Sequence, residues 1–123
     1  MDLNIRIFKN KEFGAIRTMK DERGEPLFCG KDVATALGYK KPENAIATHV
    51  ENGDKTSTLI QGSGSNYKSK TIFINESGVY ALILGSKLES ARRFKHWVTS
   101  EVLPSIRKQG GYMVVRPDES DEA

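Results

Sequence analysis

The stretch "ARRFKHWVTSEVLPSIRKQGGY", Ala91–Tyr112, mixes large apolar residues with Arg92, Arg93, Lys95, Arg107 and Lys108 and ends on Gly110-Gly111. Placed on a helical wheel at ~100° per residue, it divides by face. Leu88, Ala91, Val98, Val102 and Ile106 cluster on one side, with Phe94 at the edge. Arg93, His96, Ser100 and Arg107 fall opposite. One face builds core and the other is cationic. Ser86 and Glu89 have the spacing of a capping box, so the helix is expected to run from residue 86 to 109. Pro104 removes a backbone donor and should kink it near Leu103. Gly110 supplies a stop and Lys108 suits the negative end of the helix dipole. Trp97 lies off the apolar stripe, either packed under another element or placed at an interface.

Upstream, the period changes twice. "LNIRIF" alternates apolar and polar residues, "AIRTMK" resumes the pattern after "KNKEFG", and a short strand follows at Leu27–Cys29. This reads as an N-terminal hairpin and a third strand. From Lys31, Val33, Ala36 and Leu37 take helical spacing. Asp32 sits in the first turn, Gly38 ends the helix in a left-handed conformation, and Pro42 opens a second helix. Ala45, Ile46, His49 and Val50 form the buried face of that helix. "TSTLIQ" and "SKTIFI" read as two strands around the polar loop "GSGSNYK". Asn75 can cap a third helix with Val79, Leu82 and Ile83 as its apolar stripe and Gly85 at its end. The fold class expected is therefore α+β: a small antiparallel sheet with an N-terminal hairpin, packed against several helices, and a long C-terminal helix kinked at Pro104.

The chain's 123 residues fit one domain, and a hydrophobic fraction of 37% is enough for a core. The expected domain is 1–112, followed by an acidic, disordered tail or linker start at 113–123. Asp118, Glu119, Asp121 and Glu122 crowd into the last six residues. The net charge of +3 therefore conceals 19 basic against 12 acidic residues, or +7, over residues 1–117. A moderately basic domain suits a polyanion. The lone Cys29 cannot form an internal disulfide, and there is neither a leader-like opening nor a membrane-length apolar run. The expectation is a cytoplasmic protein with no membrane partner.

Enzyme motifs fail. Gly62, Lys68 and Ser69 have the spacing of a phosphate loop, but Tyr67 stands where that loop needs glycine, and a strand follows instead of a helix. Cys29, His49 and His96 have no metal-ligand spacing, and Glu76-Ser77 lacks a nucleophile elbow. No catalytic residue, metal or cofactor is expected.

"GKDVATALGYKKPENAIATHV" has a helix–turn–helix look. Tyr39, Lys40 and Lys41 lengthen its connection, and Glu43 opens the second helix with the wrong charge for phosphate.

The order of these motifs resembles the Bro N-terminal domain family of prophage antirepressors and of Bro proteins from large DNA viruses. The matching words are "LFCGKDVATALGYKKPENAIATHV" and "TIFINESGVYALILGSKLESARRFKHWVTSEVLPSIRKQGGY", which together cover most of Leu27–Tyr112. The resemblance implies an α+β module without known catalytic chemistry, usually followed by a different C-terminal domain. It implies antirepression for phage members and nucleic-acid binding for viral ones. It supplies no binding residues, so the site residues follow from charge. Lys40, Lys41, Arg92, Arg93, Lys95, Arg107 and Lys108 would meet phosphates, and Asn44 and Thr48 would reach bases. The alternative is a protein-interaction module that binds and inactivates a phage repressor, with exposed Tyr39, Trp97 and Tyr112 as anchors. A homo-oligomer is compatible with either.

Overall fold

The N-terminal hairpin joins β1 (Arg6–Asn10) to β2 (Gly14–Lys20) in antiparallel register, with Phe8 opposite Ile16. Its turn is set locally. Asn10 Oδ1 accepts hydrogen bonds from the backbone N–H of Glu12 and Phe13, and Gly14 adopts φ +78°, which a side chain disfavours. The computed structural model describes residues 5–61 and 68–109. The chain turns into β3 (Pro26–Cys29), which pairs with β2. It then leaves the sheet for helices α1 (Gly30–Ala36) and α2 (Pro42–His49). It returns as β4 (Lys55–Gln61) and β5 (Lys68–Ile74), and β5 lies beside β3. The order is β1-β2-β3-β5-β4, with every pairing antiparallel. The helices α3 (Glu76–Gly85), α4 (Ala91–Trp97) and α5 (Leu103–Gln109) follow. This is the α+β architecture expected: hairpin, antiparallel sheet and helical layer.

Strand alternation sends Ile16, Phe28 and Ile74 into a core shared with Val33 and Leu37 of α1, Ile46 of α2, Leu82 of α3, and Phe94, Val102 and Ile106 of the C-terminal helices. Thr18 is 1% exposed on this face, and its hydroxyl donates to the Arg6 carbonyl, so this buried hydroxyl is satisfied. The sheet's other face carries a smaller cluster of Met19, Leu27, Cys29 and Phe73. All four residues of β3 are buried, as a central strand with apolar residues on both faces requires.

The C-terminal region differs from expectation in two ways. Helix α4 begins at Ala91, with no side-chain cap. The Ser86 hydroxyl instead donates to the Leu37 carbonyl at 2.9 Å and accepts from the Leu88 N–H, so the capping box does not form. Leu88, placed on the apolar stripe, is 47% exposed and lies over Gly38. The irregularity expected at Pro104 takes the form of a π-helical segment, Val98–Val102, directly ahead of it. There the Leu103 N–H donates five residues back to Val98. Pro104 has no N–H to continue the ordinary ladder, and the wider turn keeps Val98, Val102 and Leu103 all buried.

Candidate nucleic-acid interface

Gly38 closes α1 with φ +87°, and a Cβ there would collide with the Leu88 side chain. The next residue, Tyr39, folds back onto α3. Its hydroxyl donates to the Leu82 carbonyl at 2.8 Å, and its ring centroid lies 5.6 Å from that of His49. Gly85 makes room, since a Cβ there would come within 2.6 Å of the Tyr39 oxygen. Burial pushes the Tyr39 phenol above its ordinary pKa. Tyr39 and Ser86 thus lock the α1–α2 unit onto the C-terminal end of α3. Lys40 and Lys41 then emerge exposed, and Pro42 starts α2. On α2, Ala45 and Ile46 turn inward while Asn44 and Thr48, one turn apart, stay exposed in line with Lys41. Glu43 is exposed beside them.

Leu88 against Gly38 brings the α3–α4 connection next to the end of α1, from which Lys40 and Lys41 follow, and a second group of cations lies along that connection and α4. Lys87 precedes Leu88, and Arg92 stands on the first turn of α4 with Lys95 one turn further on; all three are exposed. Among the described residues, no carboxylate lies within ion-pairing distance of Lys40, Lys41, Lys87, Arg92 or Lys95.

Two of the expected phosphate contacts are engaged elsewhere. Arg93 forms a two-point pair with Glu12 at the hairpin tip, with Nη2 at 2.6 Å from Oε2 and Nε at 3.0 Å from Oε1. Hydrogen bonding to Arg93 holds the Glu12 carboxyl below the ordinary glutamate range. Arg107 pairs with Glu76 at 2.9 Å. The Lys108 side chain and Tyr112 lie outside the described residues, as do the proposed tail and its boundary.

The aromatic anchors are not free either. Trp97, expected exposed in the protein-binding alternative, is 6% exposed. Phe13 from the hairpin stacks on it at 6.0 Å and meets Phe94 edge-on at 5.1 Å. An aromatic knob from the first hairpin therefore covers the residue that the wheel left off the stripe. Beside this contact, an open groove of about 360 Å³ is lined by Asn10, Glu12, Phe13, Arg92, Arg93, His96, Trp97 and Glu101. Its mixed charges, with Glu12 already spent on Arg93, make no acid–base pair in a water-excluding pocket.

Sequence reading missed one half-buried ion pair. Arg17 on β2 grips Asp32 on α1 through Nε and Nη2 at 2.9 and 3.0 Å, and the same carboxylate accepts from the Arg17 backbone N–H. Arg17 Nη2 also reaches Cys29 Sγ at 3.2 Å. The hydrogen bonds it donates to Asp32 raise the Arg17 pKa further above its already high value, whereas burial pushes the Cys29 thiol up. Among the described residues, no group of three or more His, Cys, Asp or Glu is arranged to hold a metal, and no helix is long and apolar enough to cross a membrane.

An α+β module with a docked two-helix unit and adjoining exposed cations is the class defined by this geometry. The chain belongs to the BRO family, N-terminal domain, whose model matches residues 15–104. It is 37% identical over 108 residues to the putative Bro-N domain-containing protein 201R of Invertebrate iridescent virus 6, covering 73% of this chain and 26% of that protein. It is also 37% identical over 99 residues to an uncharacterized protein of Haemophilus influenzae, covering 80% of this chain and 48% of the relative. The chain thus spans between about a quarter and a half of these relatives. No solved structure gives a significant match.

Proposed function

We propose that this domain is a non-enzymatic regulatory module of the antirepressor type, which acts on transcription by binding DNA through a basic surface. One observation carries the reading: Leu88 packs on Gly38, which brings Lys87 close to the Lys40–Lys41 segment, and these three with Arg92 and Lys95 on α4 are exposed and unpaired among the described residues. Exposed cations that are not held in ion pairs lose little by meeting phosphates and release counterions when they do. Lys40, Lys41, Arg92 and Lys95 provide affinity, and Asn44 and Thr48 are the residues of this surface able to read base edges. Arg93 and Arg107 join only by exchanging a carboxylate for a phosphate.

A second reading, a protein-interaction module that inactivates a phage repressor, is favoured by one feature. Leu84 is 86% exposed on α3, and Leu88, four residues on, is 47% exposed. Exposed aliphatic side chains, rather than the buried Trp97 or the tethered Tyr39, would be its contact points.

The deciding experiment measures duplex binding across a salt series, with and without a candidate repressor. Steep salt dependence that is independent of the repressor supports the DNA reading. Negligible DNA affinity together with a stable repressor complex overturns it.

A further inference from the structure

The last two strands reach beyond the sheet. β3 pairs with β5 only at Phe28–Ile74 and Cys29–Phe73, because the chain then turns into α1 at Gly30. The β4–β5 pairing continues through Ser57–Ile72, Thr58–Thr71, Leu59–Lys70 and Ile60–Ser69 to Gln61–Lys68. From Ser57–Ile72 outward, these strands form a ribbon with no third strand among the described residues, about 14 Å long at ~3.4 Å per residue.

Its chemistry is one-sided in charge. From Lys55 to Asn75 the sequence contains no carboxylate, while Lys55, Lys68 and Lys70 are cationic. Strand alternation puts Thr56, Thr58 and Thr71 on one face, with Thr58 directly opposite Thr71. Lys70 and Leu59, both exposed, share the other face. A ribbon whose purpose was to extend the core would bury Leu59, which is 56% exposed.

We propose that this β4–β5 ribbon enters the major groove of duplex DNA, with Thr58 and Thr71 against base edges and Lys70 on the phosphates. The inference rests on the DNA-binding reading and adds a second, groove-inserting element to it. The major groove admits a two-stranded ribbon, about 12 Å wide as it is. Hydroxyls can donate to or accept from base edges, and a ribbon without carboxylates meets no repulsion on entry.

The test uses the full chain with a randomised duplex pool, from which bound sequences are selected and then measured across a salt series. Lys70→Ala is expected to flatten the slope of log affinity against log salt by about 0.9. Thr58→Ala with Thr71→Ala should leave that slope alone but cut the preference for the selected sequence, by roughly fivefold or more per contacted base pair. Methylation of guanine N7, in the major groove, should weaken wild-type binding; methylation of adenine N3, in the minor groove, should not. These side chains are exposed or half-exposed, so an unchanged melting temperature is the check on folding. If the wild type binds DNA but none of the ribbon variants alters slope or preference, the ribbon proposal falls and the basic surface of the helical layer stands. Interference by N3 methylation alone also overturns it. A wild type that binds no duplex even at low salt overturns the DNA reading itself.

Discussion

Glu12, at the tip of the first hairpin, holds Arg93 on the last helical run from 81 residues away in sequence, with Nη2 at 2.6 Å from Oε2. This pair fastens the hairpin over Trp97, beside the Phe13 stack. Hydrogen bonding to Arg93 lowers the Glu12 pKa. A carboxyl whose folded pKa is depressed adds stability above its unfolded pKa, and that contribution is lost as pH falls through the folded value. Carboxyl NMR titration should therefore show Glu12 titrating below an ordinary glutamate. Arg93→Ala should return it upward, whereas Arg92→Ala should leave it in place. A Glu12 that titrates normally in the wild type would mean the pair does not persist in solution.

The same pair explains what could be read from the sequence and what could not. Elements fixed by near neighbours were legible. Asn75 caps α3 by accepting from the Gly78 N–H, and Gly38 takes a left-handed conformation after α1. Pro42 opens α2, and strand alternation placed the hairpin. What spacing could not settle shares one cause, a partner remote in sequence. Ser86 has the spacing of a cap, but its hydroxyl bonds to Leu37, 49 residues away. The wheel leaves Trp97 open between packing under another element and an interface, because the Phe13 that buries it arrives from the hairpin. Arg93 and Arg107 looked as free as Arg92 because Glu12 and Glu76 cannot be assigned to them by spacing.

Burial of Trp97 separates it from its charged neighbours. Trp97→Ala should destabilise the domain by about 3–5 kcal/mol, since it opens a cavity under Phe13 and Phe94. Arg92→Ala, exposed on the same helix, should stay within about 0.5 kcal/mol. Chemical denaturation of both variants checks this. A mild Trp97→Ala would place the indole at the surface and revive it as a partner anchor.

Gly38 meets two constraints that mutation can separate. Its φ of +87° disfavours any side chain, and a Cβ would strike Leu88. Gly38→Ala should cost about 1–2 kcal/mol from the backbone alone, with the collision in addition. Leu88→Ala, at a half-exposed site, should be mild by itself and should recover only the collision part in the double variant. A double-mutant cycle in denaturant measures that coupling. Complete additivity would show that the Leu88 side chain moves aside freely.

Arg17 and Asp32 tie the sheet to the first turn of α1 across the Cys29 thiol. Asp32→Ala leaves a half-buried guanidinium without its main acceptor and should cost about 1–3 kcal/mol. Cys29 is 0% exposed and its thiol pKa is raised by burial, so thiol reagents should label the native protein slowly. The rate should rise in Asp32→Ala as local opening becomes easier. Fast labelling of the wild type would show that this corner of the sheet is open in solution.

The ion pairs divide the cations of the C-terminal helices into two groups, and DNA binding should register the division. Arg92 and Lys95 have no carboxylate partner among the described residues, whereas Arg93 and Arg107 do. A free cation that settles on a phosphate releases a counterion, so its loss flattens the salt slope by about 0.9. A cation held by a carboxylate must first exchange partners, and its removal leaves behind an unpaired Glu12 or Glu76 that repels the duplex. Arg92→Ala with Lys95→Ala should therefore flatten the slope by about two units, with equal weakening on unrelated sequences. Lys40→Ala with Lys41→Ala should do the same. Arg93→Ala with Arg107→Ala should weaken binding with a smaller change in slope, and Glu12→Gln, which frees Arg93, should tighten binding. The measurement is duplex affinity at several salt concentrations for each variant, with the melting temperature as the check on folding. If the Arg93/Arg107 variant flattens the slope as much as the Arg92/Lys95 variant, the pairs open at no cost, and the distinction between bound and free cations on this surface is void.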